Sequence, residues 1–559
     1  MHALIRAAAV AGVLLTASVA GAQPAAQEPA FTPEAFRAHV AFLADDLLEG
    51  REAGTRGYDL AALYVSQQFA KLGLQPAGDN GTWYQAVPLQ ERSLGPGGAT
   101  LKVTGAGGVY QTFRNGGDVI MRPSALATDV RIEAPMVFVG FGLDAPQHGF
   151  DDYRGLDVRG KIVVVLSGTP RGTPSELGAH LGNEKAKMAM ARGAVGMITV
   201  DTSLSARVFP WAKRLPYAPL PRMTWVRPDG TPYVEAPGIR AAAAANEPAA
   251  QALFAGAPVS LEAVRAEADK VGGKPKGFAL KPRATLEVES VHRTLTSPNV
   301  VALLPGSDPV LKDEVVVVMG HLDHLGFRPS NPGDKIYNGA MDNATGIAAM
   351  LETARAFVES GQRPKRSILF LAVTAEEKGL LGAEYFTERP TVPLSRIAGV
   401  VNIDMPILTY DFGDIVAFGA DSSTLGRVAE RAAARIGVKL SPDPAPEQGT
   451  FTRSDHYNFV RKGVPSIYLD TGLMDAAGGA AGEAAIAEFV GRHYHEPSDD
   501  LSQPIDWRAA AKFARINWLI AREIADGAER PRWYQGDVFA DAFAKGAPRA
   551  ARPTPATAR

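Results

Sequence analysis

Three apolar runs of strand length end in side chains that bind metal ions or move protons. Glu314 and the valines after it lead to Gly320-His321-Leu322-Asp323-His324. Ser367-Ile-Leu-Phe-Leu-Ala-Val leads to Thr374-Ala375-Glu376-Glu377-Lys378-Gly379. Ile397-Ala-Gly-Val-Val-Asn-Ile leads to Asp404-Met405. Two further clusters each precede a helical pattern: Asn338-Gly339-Ala340-Met341-Asp342-Asn343 and His493-Tyr494-His495-Glu496-Pro497-Ser498-Asp499-Asp500. The chain has no cysteine. Any metal must therefore be held by His, Asp and Glu, a set that suits a catalytic ion better than a closed structural one. Adjacent like charges such as Glu376 and Glu377 need compensation, which a divalent cation supplies. Each cluster alone is equally a solvated loop, and His324, His456 or His493 alone is as readily a loop or supporting residue as a ligand. Five such clusters at five matching element ends point to one site.

Open α/β sheets bind ligands outside the carboxyl ends of their strands, where these clusters fall. From residue 299 onward, strand, loop and helix alternate, with helices expected near 343–360, 422–436 and 506–525. Apolar runs buried on both faces and alternating with helices predict an α/β fold with a mixed, mostly parallel sheet flanked by helices. Ahead of it, residues 32–47 and 58–72 have helical spacing, the first opening on Thr32-Pro33, a hydroxyl cap before an N-terminal proline. Between about 119 and 285 the texture changes to short glycine-bounded strands at 135–140, 160–166 and 193–200, with a helix expected at 184–192. The 559 residues are 46% hydrophobic, enough for a large core. A formal charge of −2 gives no reason to expect a nucleic-acid partner. Residues 7–19 are apolar and end at Ala20-Gly21-Ala22, which predicts a cleaved signal peptide over 1–22. The run is short of the roughly 20 residues a membrane span needs, so no membrane association is expected after cleavage. A disulfide-free exported protein suits a bacterial periplasm or medium. The Ala-, Pro- and Arg-rich residues 545–559 are expected to be disordered.

The set His321-x-Asp323, Gly339-Ala340-Met341-Asp342-Asn343, Glu376-Glu377, Asn402-x-Asp404 and His495-x-Pro497 resembles peptidase family M28, of the aminopeptidase type. The resemblance covers about 298–527 and extends to Gly50-Arg51 and the segment 74–79. Residues 160–163 and 191–196 resemble a protease-associated (PA) domain. The organisation implied is an N-terminal part of the catalytic domain at 31–118, an inserted β-rich PA-like domain at 119–285, and the main catalytic segment at 286–530. The resemblance implies a peptide substrate and two Zn2+ ions. Asp342 would bridge them, His321 and Asp404 would complete one, and Glu377 and His495 the other. Glu376 would be the general base, and Asp323 would hold the His321 ring through its carboxylate. Tyr494 would either donate to the oxyanion or merely pack. Met405, Thr450, Phe451 and Tyr468 are candidates for the specificity pocket, and Ser454-Asp455-His456 for structural support. Some relatives carry a cystine in the preceding loop, which this chain lacks. Relatives on the same scaffold include carboxypeptidases, for which Arg453 would be the carboxylate-binding candidate, glutaminyl cyclases, and metal-free receptors. The intact ligand set weighs against the last.

Overall fold

The computed structural model describes residues 28–105 and 108–553. The expected signal segment lies outside the described residues. Two helices open the chain. α1 (Pro33–Leu43) is capped by Thr32, whose side chain accepts a hydrogen bond from the Ala35 N–H. α2 (Arg56–Lys71) is capped in the same way by Thr55. Their apolar faces, including Phe36, Val40, Val65 and Phe69, enter the main core.

The strands follow in chain order: β1 (Tyr84–Thr104), β2 (Asp129–Phe138), β3 (Ile162–Leu166), β4 (Gly196–Val200), β5 (Arg222–Trp225), β6 (Ala241–Ala245), β7 (Phe278–Leu304), β8 (Val315–His321), β9 (Ser367–Val373), β10 (Ile397–Ile403), β11 (Asp414–Phe418), β12 (Lys439–Ser441) and β13 (Ser466–Thr471). The helices used below are α3 (Ser175–Ala191), α4 (Thr345–Glu359), α5 (Leu381–Glu388), α6 (Leu425–Ala434), α7 (Ala481–Arg492) and α8 (Trp507–Asp526).

In the C-terminal half the sheet order is β12-β11-β13-β10-β8-β9-β7. β8 runs parallel to both β9 and β10, and β10 parallel to β13, while β7 and β11 run antiparallel to their neighbours β9 and β13. Every residue of β8, β9 and β10 is buried. Their alternating side chains divide between two layers. Val316 and Val318 pack with Ile347 of α4 and Phe513 of α8, whereas Val315, Val317 and Met319 pack with Phe386 of α5 and with Phe459. Helices on both faces leave these strands no polar side, which is why they read as unbroken apolar runs.

The inserted segment is also α/β. β2, β3, β4 and β6 form a parallel run with α3 against it. Its core includes Leu101 and Val103, which pack with Val130, Ile132 and Leu286. The lobe therefore starts earlier than the expected boundary at 119. The link to the C-terminal half is β7, a strand of 27 residues. It pairs with β2 at one end, with β9 at the other, and with β1 from Arg283–Thr104 to Val300–Tyr84. α3 begins nine residues before the expected 184. The expected disordered tail differs as well. Up to residue 553 the chain is described and tied down: Arg549 donates to the Ala540 and Ala544 carbonyls, and Arg552 to that of Asp421. Residues 554–559 lie outside the described set. Among the described residues no helix is long and apolar enough to cross a membrane.

Candidate metal centre

His321 is the last residue of β8, Glu376 and Glu377 follow β9, and Asp404 follows β10. Parallel neighbours in register bring these ends together, since His321 stands opposite Val373 and Met319 opposite Asn402. The chain turns sharply there. Ala375, Met405 and His495 have φ of 54°, 41° and 60°, a region that disfavours side chains and costs about 1–3 kcal/mol each. Such conformations persist only where the surroundings over-determine them.

Asp342 occupies the centre. Its Oδ1 lies 3.2 Å from His321 Nε2, and its Oδ2 lies 3.3 Å from His495 Nε2. On the first side, Asp404 Oδ1 is 3.0 Å from His321 Nε2. On the second, Glu377 Oε2 is 3.2 Å from His495 Nε2. All five ligand-type side chains expected from the sequence thus converge, in two groups sharing Asp342. Glu376 and Tyr494 line the same cavity, and the Tyr494 ring stacks on His495 at 3.9 Å between centroids.

His324 joins the second group. It is fully buried, with Nδ1 2.7 Å from Glu377 Oε1 and 3.9 Å from Asp342 Oδ2. Neither ring nitrogen of His324 nor Glu377 Oε1 has a hydrogen-bond partner of acceptable geometry. The short contact is poorly aligned for a hydrogen bond, so His324 Nδ1 and Glu377 Oε1 face each other without a well-placed partner. Buried polar atoms left so are costly, and a cation between them would satisfy both. The donor set and these orphaned atoms fit divalent metal ions. Two triads, His321-Asp342-Asp404 and His324-Asp342-Glu377, each bring their donor atoms within 4.8 Å of one another.

Asp323 has a different task from the expected one. The His321 Nδ1 lies 3.1 Å from the Asp323 backbone carbonyl, not from its carboxylate. The carboxylate instead accepts from the Glu376 N–H at 3.0 Å and the Glu377 N–H at 3.4 Å. A buried carboxylate within reach of two free backbone donors at a strand end satisfies them, so Asp323 orients the glutamate turn. Four other supports were not assigned from the sequence. Asp499 accepts from the Met341 and Asp342 N–H groups at 2.8 and 3.0 Å. Asn343 accepts from the Met405 N–H at 3.0 Å. Arg51 donates to the carbonyls of Leu322, Asn338 and Gly339. His324 is the fourth. Ser454, expected as a support, donates to Asp404 Oδ2 at 2.5 Å.

The electrostatics separate the two adjacent glutamates. Burial pushes the Glu376 carboxyl well above the usual range, Asp404 and Glu377 adding to it and His321 opposing. Burial also opposes ionisation of Glu377, but His495 and a contact with His324 hold its carboxyl below the usual range. Neighbouring carboxyls driven apart are suited to different roles, one exchanging a proton and one staying charged.

Residues 299–521 match the model of peptidase family M28. Among curated relatives, the chain is 28% identical over 311 residues to a probable zinc metalloprotease of Pyricularia oryzae, covering 48% of this chain and 60% of that protein. It is 28% identical over 232 residues to a probable leucine aminopeptidase 2 of Aspergillus oryzae, covering 39% and 42%. The chain spans about half the length of the curated relatives it matches. Among solved structures, an aminopeptidase from Aneurinibacillus sp. strain AM-1 shares the fold at a TM-score of 0.52 and 20% identity, over 89% of this chain and 95% of that one.

Proposed function

Through residues 299–521 the chain belongs to peptidase family M28, and on that premise we propose that it is an exported, two-zinc aminopeptidase that removes the first residue of peptides. The observation that carries this reading is the pair of Asp342 oxygens facing two separate imidazoles at 3.2 and 3.3 Å. Asp342 would hold both ions, His321 and Asp404 one of them, and Glu377 and His495 the other. The relatives' names, a zinc metalloprotease and a leucine aminopeptidase, support the metal and the direction of attack.

When bound, such a pair of cations polarises the scissile carbonyl and lowers the pKa of water toward neutrality. Glu376 takes the proton of the attacking water on its carboxylate and returns it to the leaving amine. The Asp323 carboxylate fixes the backbone from which Glu376 projects. Tyr494, beside His495 on the cavity wall, donates a hydrogen bond from its hydroxyl to the developing oxyanion. The apolar stretch at 7–19 supports export to a periplasm or medium.

Metal analysis and a substrate panel on Glu376→Gln test the reading. The variant is expected to retain its metal and to lose about 10²–10⁴-fold in kcat. Full activity in the variant removes Glu376 from the mechanism. Cleavage confined to peptides with blocked N-termini removes the aminopeptidase assignment.

A further inference from the structure

A cavity of about 520 Å³ opens onto the metal centre. Its floor is a pair of antiparallel strands. Val416 and Phe418 of β11 stand opposite Asp470 and Tyr468 of β13, and all four line the cavity. The pleat sends the alternate residues Ile467 and Leu469 into the core on the other face. Met405 and Ile486 add apolar wall. Asp470 is thus a carboxylate set in an otherwise apolar floor. The Thr471 N–H donates to it at 2.7 Å. Among the described residues, no Lys, Arg or His nitrogen comes within 4.0 Å of it. Arg453 also lines the cavity, but its charge acts on Tyr494. Asp443 and Glu483 add two more carboxylates to the lining.

A first residue such as leucine would fill the apolar space but strip water from Asp470 without replacing it, which is costly. A lysine or arginine side chain meets both demands. Its methylenes lie along the apolar walls, and its cationic head reaches the carboxylate. Resting on the aminopeptidase reading above, we propose that Asp470 sets specificity by pairing with the cationic side chain of an N-terminal Lys or Arg. Burial and the nearby Asp404 push the Asp470 carboxyl up to about 7, as expected of an acid that lacks its counter-ion.

The test compares kcat/KM of the zinc-loaded enzyme for the 4-nitroanilides of Lys, Arg, Leu and Glu, in the wild type and in Asp470→Asn. The wild type is expected to favour Lys and Arg over Leu, with Glu poorest. Asp470→Asn is expected to lose about 30-fold or more on Lys and Arg while Leu is unchanged or improved. A wild type that favours Leu, or a variant that loses equally on Lys and Leu, overturns the specificity role and leaves the aminopeptidase reading standing. A wild type that cleaves none of the four overturns the reading on which it rests.

Discussion

His321, Asp342, Glu376, Glu377, Asp404 and His495 were readable because each stands where an apolar run or a helix start marks an element end. Residue type and position together pointed to one place. His324 and Asp323 were not readable in the same way, because spacing along a loop carries no direction. Asp323 holds the His321 ring through its carbonyl and spends its carboxylate on the glutamate turn. His324 points its Nδ1 at Glu377, in space left by Gly339, where a Cβ would fall 2.5 Å from the imidazole Cγ. His324 thus adds a third imidazole to the centre, on the side of Glu377 and His495. On the proposed two-ion reading, His324→Ala is expected to weaken one metal site by at least about 10-fold and to spare the other. Titration of the metal-free protein with Co2+, followed by absorbance, would resolve the two steps. Two unchanged steps would show that His324 is only packed there.

At the scale of elements, the alternation of β8, β9 and β10 with helices was legible, since strands buried on both faces have no polar residue to blur the pattern. β1 was not, because Gly95-Pro96-Gly97-Gly98 interrupts it and reads as a loop. It remains a strand because β7 pairs with it on both sides of that interruption, where the register shifts, and Glu289 accepts from the Gly97 N–H. α7 was missed because it carries few large apolar residues and buries only Gly482 and Phe489, so no apolar stripe marks it. The turn after α1 is more consequential. Gly50, with φ of 71°, sits where a Cβ would meet the Tyr337 carbonyl at 2.4 Å. That close approach delivers the fully buried Arg51 to the carbonyls of Leu322, Asn338 and Gly339, tying together the loops that carry His321 and Asp342. The sequence singled out Gly50-Arg51 by resemblance, but among 58 Lys and Arg nothing local showed which carbonyls this one would bind. Arg51→Met would leave several buried carbonyls without donors. It is expected to cost about 3 kcal/mol or more in urea unfolding and to lower metal content as the two loops separate. An unchanged midpoint with full metal occupancy would refute the tie.

Across the whole molecule, the inserted lobe reaches the rim of the catalytic cavity. α3 packs on the segment 446–457, which contributes Gln448, Thr450 and Arg453 to the cavity wall. Gly449 is tight enough there that a Cβ would fall 2.6 Å from that of Ala179, and His180 Nδ1 lies 2.7 Å from the Tyr457 hydroxyl. The lobe is therefore in direct contact with the cavity rim. This contact carries a titratable weakness. Burial, together with Asp537, Asp421 and Asp443, pushes the Glu176 carboxyl on α3 from 4.5 up to about 7. Between these two values the folded state holds more protons than the unfolded chain, so stability falls as pH rises through that window. The contribution is complete below about 4.5 and gone above about 7. Glu176→Gln removes the titration. Its thermal midpoint is expected to match the wild type near pH 4.5 and to exceed it at pH 8, where the wild-type carboxylate is ionised among like charges. Calorimetry at the two pH values gives the difference directly. An equal offset at both would mean that Glu176 is not the group that makes this junction sensitive to pH.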